Sequence, residues 1–94
     1  MFRHCAMFRW KPEVSDEQKS AISAGLDALV PLATSYVHGP DAAVNEGNWD
    51  YVVMAEFDSV EHYRIYADDD GHQTLINDLI KPAISDRAAI QLEF

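Results

Sequence analysis

Cysteine occurs once in this sequence, at Cys5, so no disulfide can form within the chain. Set in an apolar alternating run, that thiol reads as a small buried hydrophobe in a reducing compartment, and a cytoplasmic location is the default expectation. Positive charge is scarce: seven Lys and Arg stand against sixteen Asp and Glu, for a net charge of −9. Nucleic acid and anionic membranes repel such a chain because they are densely negative themselves, whereas neutral or weakly acidic small molecules remain admissible ligands. Long hydrophobic runs are missing. Nothing approaches the ~18 apolar residues of a membrane span, and the N-terminal stretch MFRHCAMFRW holds no signal-peptide core. A G-x-S-x-G elbow, a glycine-rich phosphate loop and a C-x-x-C pair are also absent, which removes the common hydrolytic, nucleotide-dependent and thiol-redox sites. No cofactor is expected.

The 94 residues, 48% of them apolar, make a single domain over 1–94. A chain of this length buries only roughly 60 to 68% of its unfolded surface. A partner subunit covering more apolar surface would therefore matter to its stability.

Period-two alternation over residues 2–10 sets Phe2, His4, Ala6, Phe8 and Trp10 against Arg3, Cys5, Met7 and Arg9, the signature of a strand. In SDEQKSAISAGLDALV, Ser15 and Gln18 have capping-box spacing, and Ile22, Leu26, Leu29 and Val30 form one helical stripe that Pro31 ends. A second strand is expected in ATSYVHG, before the turn residues Gly39-Pro40-Asp41. The third is WDYVVMAEFD, in which Tyr51, Val53, Ala55 and Phe57 share a side. A short helix should follow from Asp58 or Ser59, with Glu61 closing a capping box on Asp58. A longer one should begin near Gly71, capped by Asp70, and run through Leu75, Ile76, Leu79 and Ile80 until Pro82, with Lys81 extended. AAIQLEF is the last strand.

The order is β-α-β-β-α-β, an α+β, ferredoxin-like sandwich with two helices on one face of an antiparallel sheet. The strongly apolar set Phe2, Phe8, Val53, Phe57, Ile90 and Leu92 is expected beneath the helices. Cys5, Met7, Val52 and Met54 then lie on the bare face, where an apolar patch marks an interface. A homodimer follows, in which two sheets close face to face.

Four segments together carry a family resemblance: FRHCAMFRWK, VSDEQK, EFDSVEHYRIYADDDGHQ and KPAISDRAAIQLEF. With these, the chain resembles the stress-responsive dimeric α/β-barrel (Dabb) family, which includes plant heat-stable and stress proteins and an olivetolic acid cyclase-type polyketide cyclase. The resemblance implies a ferredoxin-like monomer and a dimeric barrel. It also implies a Tyr-His pair for aldol-type ring closure at Tyr66 and His72, and a further pocket histidine at His4.

From the residues themselves, His72 shares a helical stripe with Leu75, Ile76 and Leu79 and occupies a first turn, where the helix dipole favours neutral imidazole. A general base needs that form, and a packed histidine bonded to a carbonyl would look the same. The Tyr66 phenol, with an ordinary pKa of ~10, is suited to donate a hydrogen bond to an enolate oxygen, unless it simply fills core beside Tyr63. His4 interrupts an apolar strand face. Burying it unpaired would cost roughly 1 to 3 kcal/mol, so Tyr51, His72, water or a ligand must bond to it. Tyr51, Phe8 and Phe57 complete the expected pocket for a small hydrophobic or aromatic ligand.

No metal is expected. Asp68, Asp69 and Asp70 lack the ligand periodicity of a calcium loop. His38 and His62 read as exposed polar positions, and Asp86-Arg87 as a structural ion pair. Cofactor-free proton transfer or aldol-type cyclisation and non-enzymatic ligand binding both fit these residues.

Overall fold

The computed structural model describes residues 1–94. Strand β1 (Phe2–Trp10) leads to helix α1 (Asp16–Asp27), strands β2 (Ser35–Pro40) and β3 (Tyr51–Phe57), helices α2 (Val60–Asp68) and α3 (Asp70–Leu75), and strand β4 (Ile84–Glu93). Every pairing is antiparallel, in the order β2-β3-β1-β4. This is the ferredoxin-like α+β arrangement that the element order predicts. No helix is long and apolar enough to cross a membrane.

The caps explain where the helices begin. Ser15 and Gln18 form the expected capping box on α1. At α2 the cap is Ser59, whose hydroxyl accepts the His62 amide at 3.3 Å, while the Asp58 carboxylate accepts from the Thr34 hydroxyl at 3.1 Å. That start puts His62, and not Glu61, at the third helical position, so no box forms with Glu61. Asp69, not Asp70, caps α3 and accepts the His72 amide at 3.1 Å.

Both proline expectations need correcting. α1 closes at Asp27, and Pro31 sits in a separate 3₁₀ turn, Val30–Leu32, which leaves Val30 exposed. After α3 the chain stays helical, widening into a π turn over Ile76–Ile80 and a last turn, Lys81–Ala83. Lys81 is helical, and Pro82 occupies the first turn of that last segment, where a missing N–H is tolerated. The widened turn also shifts the phase of the stripe, so Ile80 is buried and Leu79 is exposed.

Phe2, Ala6, Phe8, Tyr51, Val53, Ala55 and Phe57 form the floor of the core beneath Ile22, Leu26, Tyr66 and Leu75 of the helices. α1 and α3 meet closely at Gly25, where an added Cβ would lie 2.5 Å from a Leu75 methyl. Any larger residue there requires the Leu75 side chain to shift.

Strand β4 departs most from expectation. Cys5 pairs with Ile90 and Arg3 with Leu92, and paired residues share a face. Ile90 (73% exposed) and Leu92 (56%) therefore lie on the bare side, not under the helices. There they join Met54 (42%) and its β2 partner Val37 (57%) in one exposed apolar surface. Turned to the helix side instead are Arg87, opposite Phe8, and Gln91, opposite His4.

Candidate active site

A cavity of about 280 Å³ lies between the sheet and the α2–α3 region. Its walls are mostly apolar, among them Ala6, Phe8, Leu26 and Val53, with Ile76 and Ile80 presented by the π turn. Such turns recur at functional sites because they re-aim side chains. His4, Tyr63, Tyr66 and His72 supply the polar atoms, and Lys81 and Arg87 the charges.

His72 is oriented by the α2–α3 junction. The Ala67 carbonyl, left unpaired at the end of α2, accepts from Nδ1 of His72 at 3.0 Å and from the Gln73 amide at 2.6 Å. A carbonyl only accepts, so Nδ1 carries a hydrogen, and in the neutral ring Nε2 holds the lone pair. The His72 ring lies against that of Tyr66, with centroids 4.3 Å apart.

Tyr66 is almost fully buried, and its hydroxyl is 2.9 Å from that of Tyr36 on β2. Burial raises the pKa of both phenols, and for Tyr36 the bond to Tyr66 raises it further. Tyr63 lines the cavity too, packing its ring on Phe2 and His4. Sequence reasoning passed over Tyr36. Its core-side place in β2, opposite Ala55, is set by strand pairing.

His4 is 5% exposed and finds its partner in Gln91, whose amide Nε2 lies 3.1 Å from Nδ1. This replaces the expected bond to Tyr51 or His72. An amide NH₂ only donates, so Nδ1 accepts and the neutral ring keeps its hydrogen on Nε2.

Burial first, then the charges of Arg87 and His72, lower the His4 pKa from 6.5 to about 4. Because the folded value is the lower one, the unfolded chain takes up this proton first on acidification. Neutral His4 therefore contributes its full stability above pH 6.5, and that contribution is lost as the pH falls towards about 4. We predict that His4→Gln protein loses less stability than the unaltered protein across this window, by at most about 3 kcal/mol. Urea unfolding across the window measures this, and parallel pH dependences for the two proteins would contradict it.

Two of the expected pocket residues lie elsewhere. Phe57 is 1% exposed and packs on Tyr63 and Tyr66 as core, because its strand position lies directly beneath α2. Tyr51 lines a larger groove of about 560 Å³ with Trp10 and His38. Its hydroxyl is 2.7 Å from Nδ1 of His38, whose Nε2 is 2.6 Å from the Asp27 carboxylate. His38 is thus a sequestered link in a Tyr-His-Asp chain, not an exposed polar position, and His62 stays exposed beside Ser59. That groove is open and polar, and its histidine is already paired. The smaller cavity, more enclosed and apolar-walled with few polar groups, better fits a ligand site.

Asp86 and Arg87 do not pair, since adjacent strand residues point to opposite faces. Asp86 stands opposite Arg9, and the ion pair of the chain is Arg3–Glu56, while Asp27 is bonded to His38. No three His, Cys, Asp or Glu side chains come together as a metal-binding group.

Comparison with known proteins gives the lineage of this arrangement. No curated protein matches the chain. Among solved structures, a dimeric ferredoxin-like protein of unknown function from Thermobifida fusca is 31% identical over 99% of this chain and 90% of that one, with a TM-score of 0.90. A Dabb family protein from Mesorhizobium loti is 14% identical over 99% and 95%, at a TM-score of 0.81. The hydroxynitrile lyase of Passiflora edulis is 17% identical over 97% and 90%, also at 0.81; at such identities the likeness is one of fold. The family model for the stress responsive A/B barrel domain, Dabb, matches residues 2–94, and the chain belongs to that family.

Proposed function

We propose that two copies of this chain form a barrel by joining their bare sheet faces, and that each cavity takes a small aromatic or polyketide-like carbonyl compound and moves a proton α to its carbonyl. His72 is the base. Its Nε2 lone pair takes the proton, the C–H electron pair becomes the C=C bond of an enolate as the carbonyl π pair moves to oxygen, and the enolate oxygen is met by hydrogen bonds. The Tyr66 hydroxyl is one donor: with Tyr36 held protonated and donating to the Tyr66 oxygen, the Tyr66 hydrogen is free to face the ligand. Nε2–H of His4 is a second. The enolate carbon then either regains a proton from His72 or attacks a second carbonyl of the same molecule, with the new alkoxide taking that proton.

The observation that carries this reading is the tautomer of His72. Its hydrogen bond to Ala67 leaves a basic nitrogen beside a buried phenol in an apolar-walled cavity. Ligand cavities commonly start at ~300 Å³, so one of about 280 Å³ suits a compound of about one ring.

The test is incubation with phenylacetone in deuterium oxide, following loss of the benzylic proton signals by NMR. Exchange faster than in buffer supports the reading, and exchange at the buffer rate removes it. A second reading has its own support: every buried side-chain nitrogen and oxygen already has a protein partner. A binding dimer without catalysis would be stabilised by aromatic ligands yet leave the exchange rate unchanged.

A further inference from the structure

The charges around the cavity run against the composition of the chain. Sixteen acidic and seven basic side chains are available, yet the cavity is lined by Lys81 and Arg87 and by no Asp or Glu. Neither cation takes part in an ion pair. Arg87 is on the cavity side because the register sets it opposite Phe8, and a register shift between Arg9 and Trp10 pairs Trp10 with Ile84, which also lines the cavity. Lys81 arrives from the other direction, on the helical turn that follows the π segment. Arg87 acts electrostatically on the site itself, adding to the burial that lowers the His4 pKa and working against the burial that raises that of Tyr66.

From this geometry we infer that the cavity selects an acid: a single-ring aromatic or oxo compound whose carboxylate is gripped by Arg87, with Lys81 as a second cation, while its carbonyl end points inward to His72 and Tyr66. A planar guanidinium offers two parallel N–H donors that match the two oxygens of a carboxylate, and Lys81 supplies a point charge without fixed direction. The net charge of −9 slows the approach of anions in general, so a local pair of unpaired cations gives such a substrate one place where it is attracted. This inference names the substrate class of the proposed reaction site and rests on that site being the binding cavity, but not on proton transfer occurring there.

Two probes of nearly equal size separate the possibilities. Phenylpyruvate carries a carboxylate where phenylacetone has a methyl group. Calorimetry on the intact protein should show phenylpyruvate binding about tenfold or more tighter than phenylacetone, the range expected for hydrogen bonds to a charged group. Arg87→Met should erase that preference, weakening phenylpyruvate by about 10- to 100-fold relative to phenylacetone. Lys81→Met should narrow the preference by less. Equal affinities for both compounds, a preference that survives Arg87→Met, or no binding of either would overturn the inference. Because the readout is equilibrium binding, carboxylate capture without isotope exchange would sink the catalytic reading alone. Exchange of phenylacetone with no preference for the acid would sink this inference alone.

Discussion

Replacing His72 with alanine is expected to slow catalysed isotope exchange by about 10² to 10⁴-fold, the usual contribution of a positioned general base. Three features converge on this residue. The π turn and the Asp69 cap hold α3 so that the ring enters the cavity, the Ala67 carbonyl fixes which nitrogen carries hydrogen, and the Tyr66 ring packs against its face. Structural cost should be small, about 1 kcal/mol for the lost hydrogen bond. Tyr66→Phe is expected to cost about 10²-fold through loss of an oxyanion donor. Tyr36→Phe should cost less, since it removes only the bond that directs the Tyr66 proton. A His72→Ala protein that is folded and exchanges at the unaltered rate would take the base role from His72.

The second large effect concerns the bare sheet face. Ile90→Asp should shift the protein from dimer to monomer, raising the dimer dissociation constant by about 10³-fold or more. A two-fold axis places each substitution in the interface twice, and each introduces a carboxylate whose burial without a partner costs several kcal/mol. Ile90 is 73% exposed in the single chain and joins Leu92, Met54 and Val37 in one patch, so little within the subunit depends on it. Light scattering or sedimentation over a dilution series gives the constant, and circular dichroism separates dissociation from unfolding. An unaltered protein that is monomeric at micromolar concentration, or an Ile90→Asp protein that stays dimeric, would remove the sheet face as the interface.

That patch also shows how far pattern reading reaches. Alternation along Ala88–Phe94 says that Ile90 and Leu92 share a face, and it says so correctly. Which face is a matter of register. Cys5 lies opposite Ile90, and this pairing joins residues at opposite ends of the chain. Assigning the most apolar set to the helix side fails because this sheet carries apolar side chains on both faces. The same error hid Gln91: with Ile90 placed inward its neighbour Gln91 falls outward, and the bond of His4 to Gln91 could not be foreseen; Arg87, expected to pair with Asp86, instead turns to the helix side opposite Phe8.

Local patterns did determine the four strands, the Ser15–Gln18 cap, the burial of His4 and the entry of His72 into the inner stripe. Each depends on residues a few positions apart, where strand and helix periods act directly. The short helix α2, by contrast, has too few turns for its period to choose between Tyr63 and Tyr66 as the inward residue. Tyr66 and His72, paired in the sequence only through the family resemblance, do lie ring against ring across the short break between α2 and α3, with centroids 4.3 Å apart. Folding in three dimensions supplied the rest: the partner of each polar atom, the widening of the helix before Pro82, and the diversion of Tyr51 to His38. Those outcomes arise where distant segments compete for the same donors and the same volume. Such competition leaves no periodic mark on a chain, so the cations at the cavity mouth come into view only once β4 is laid against β1.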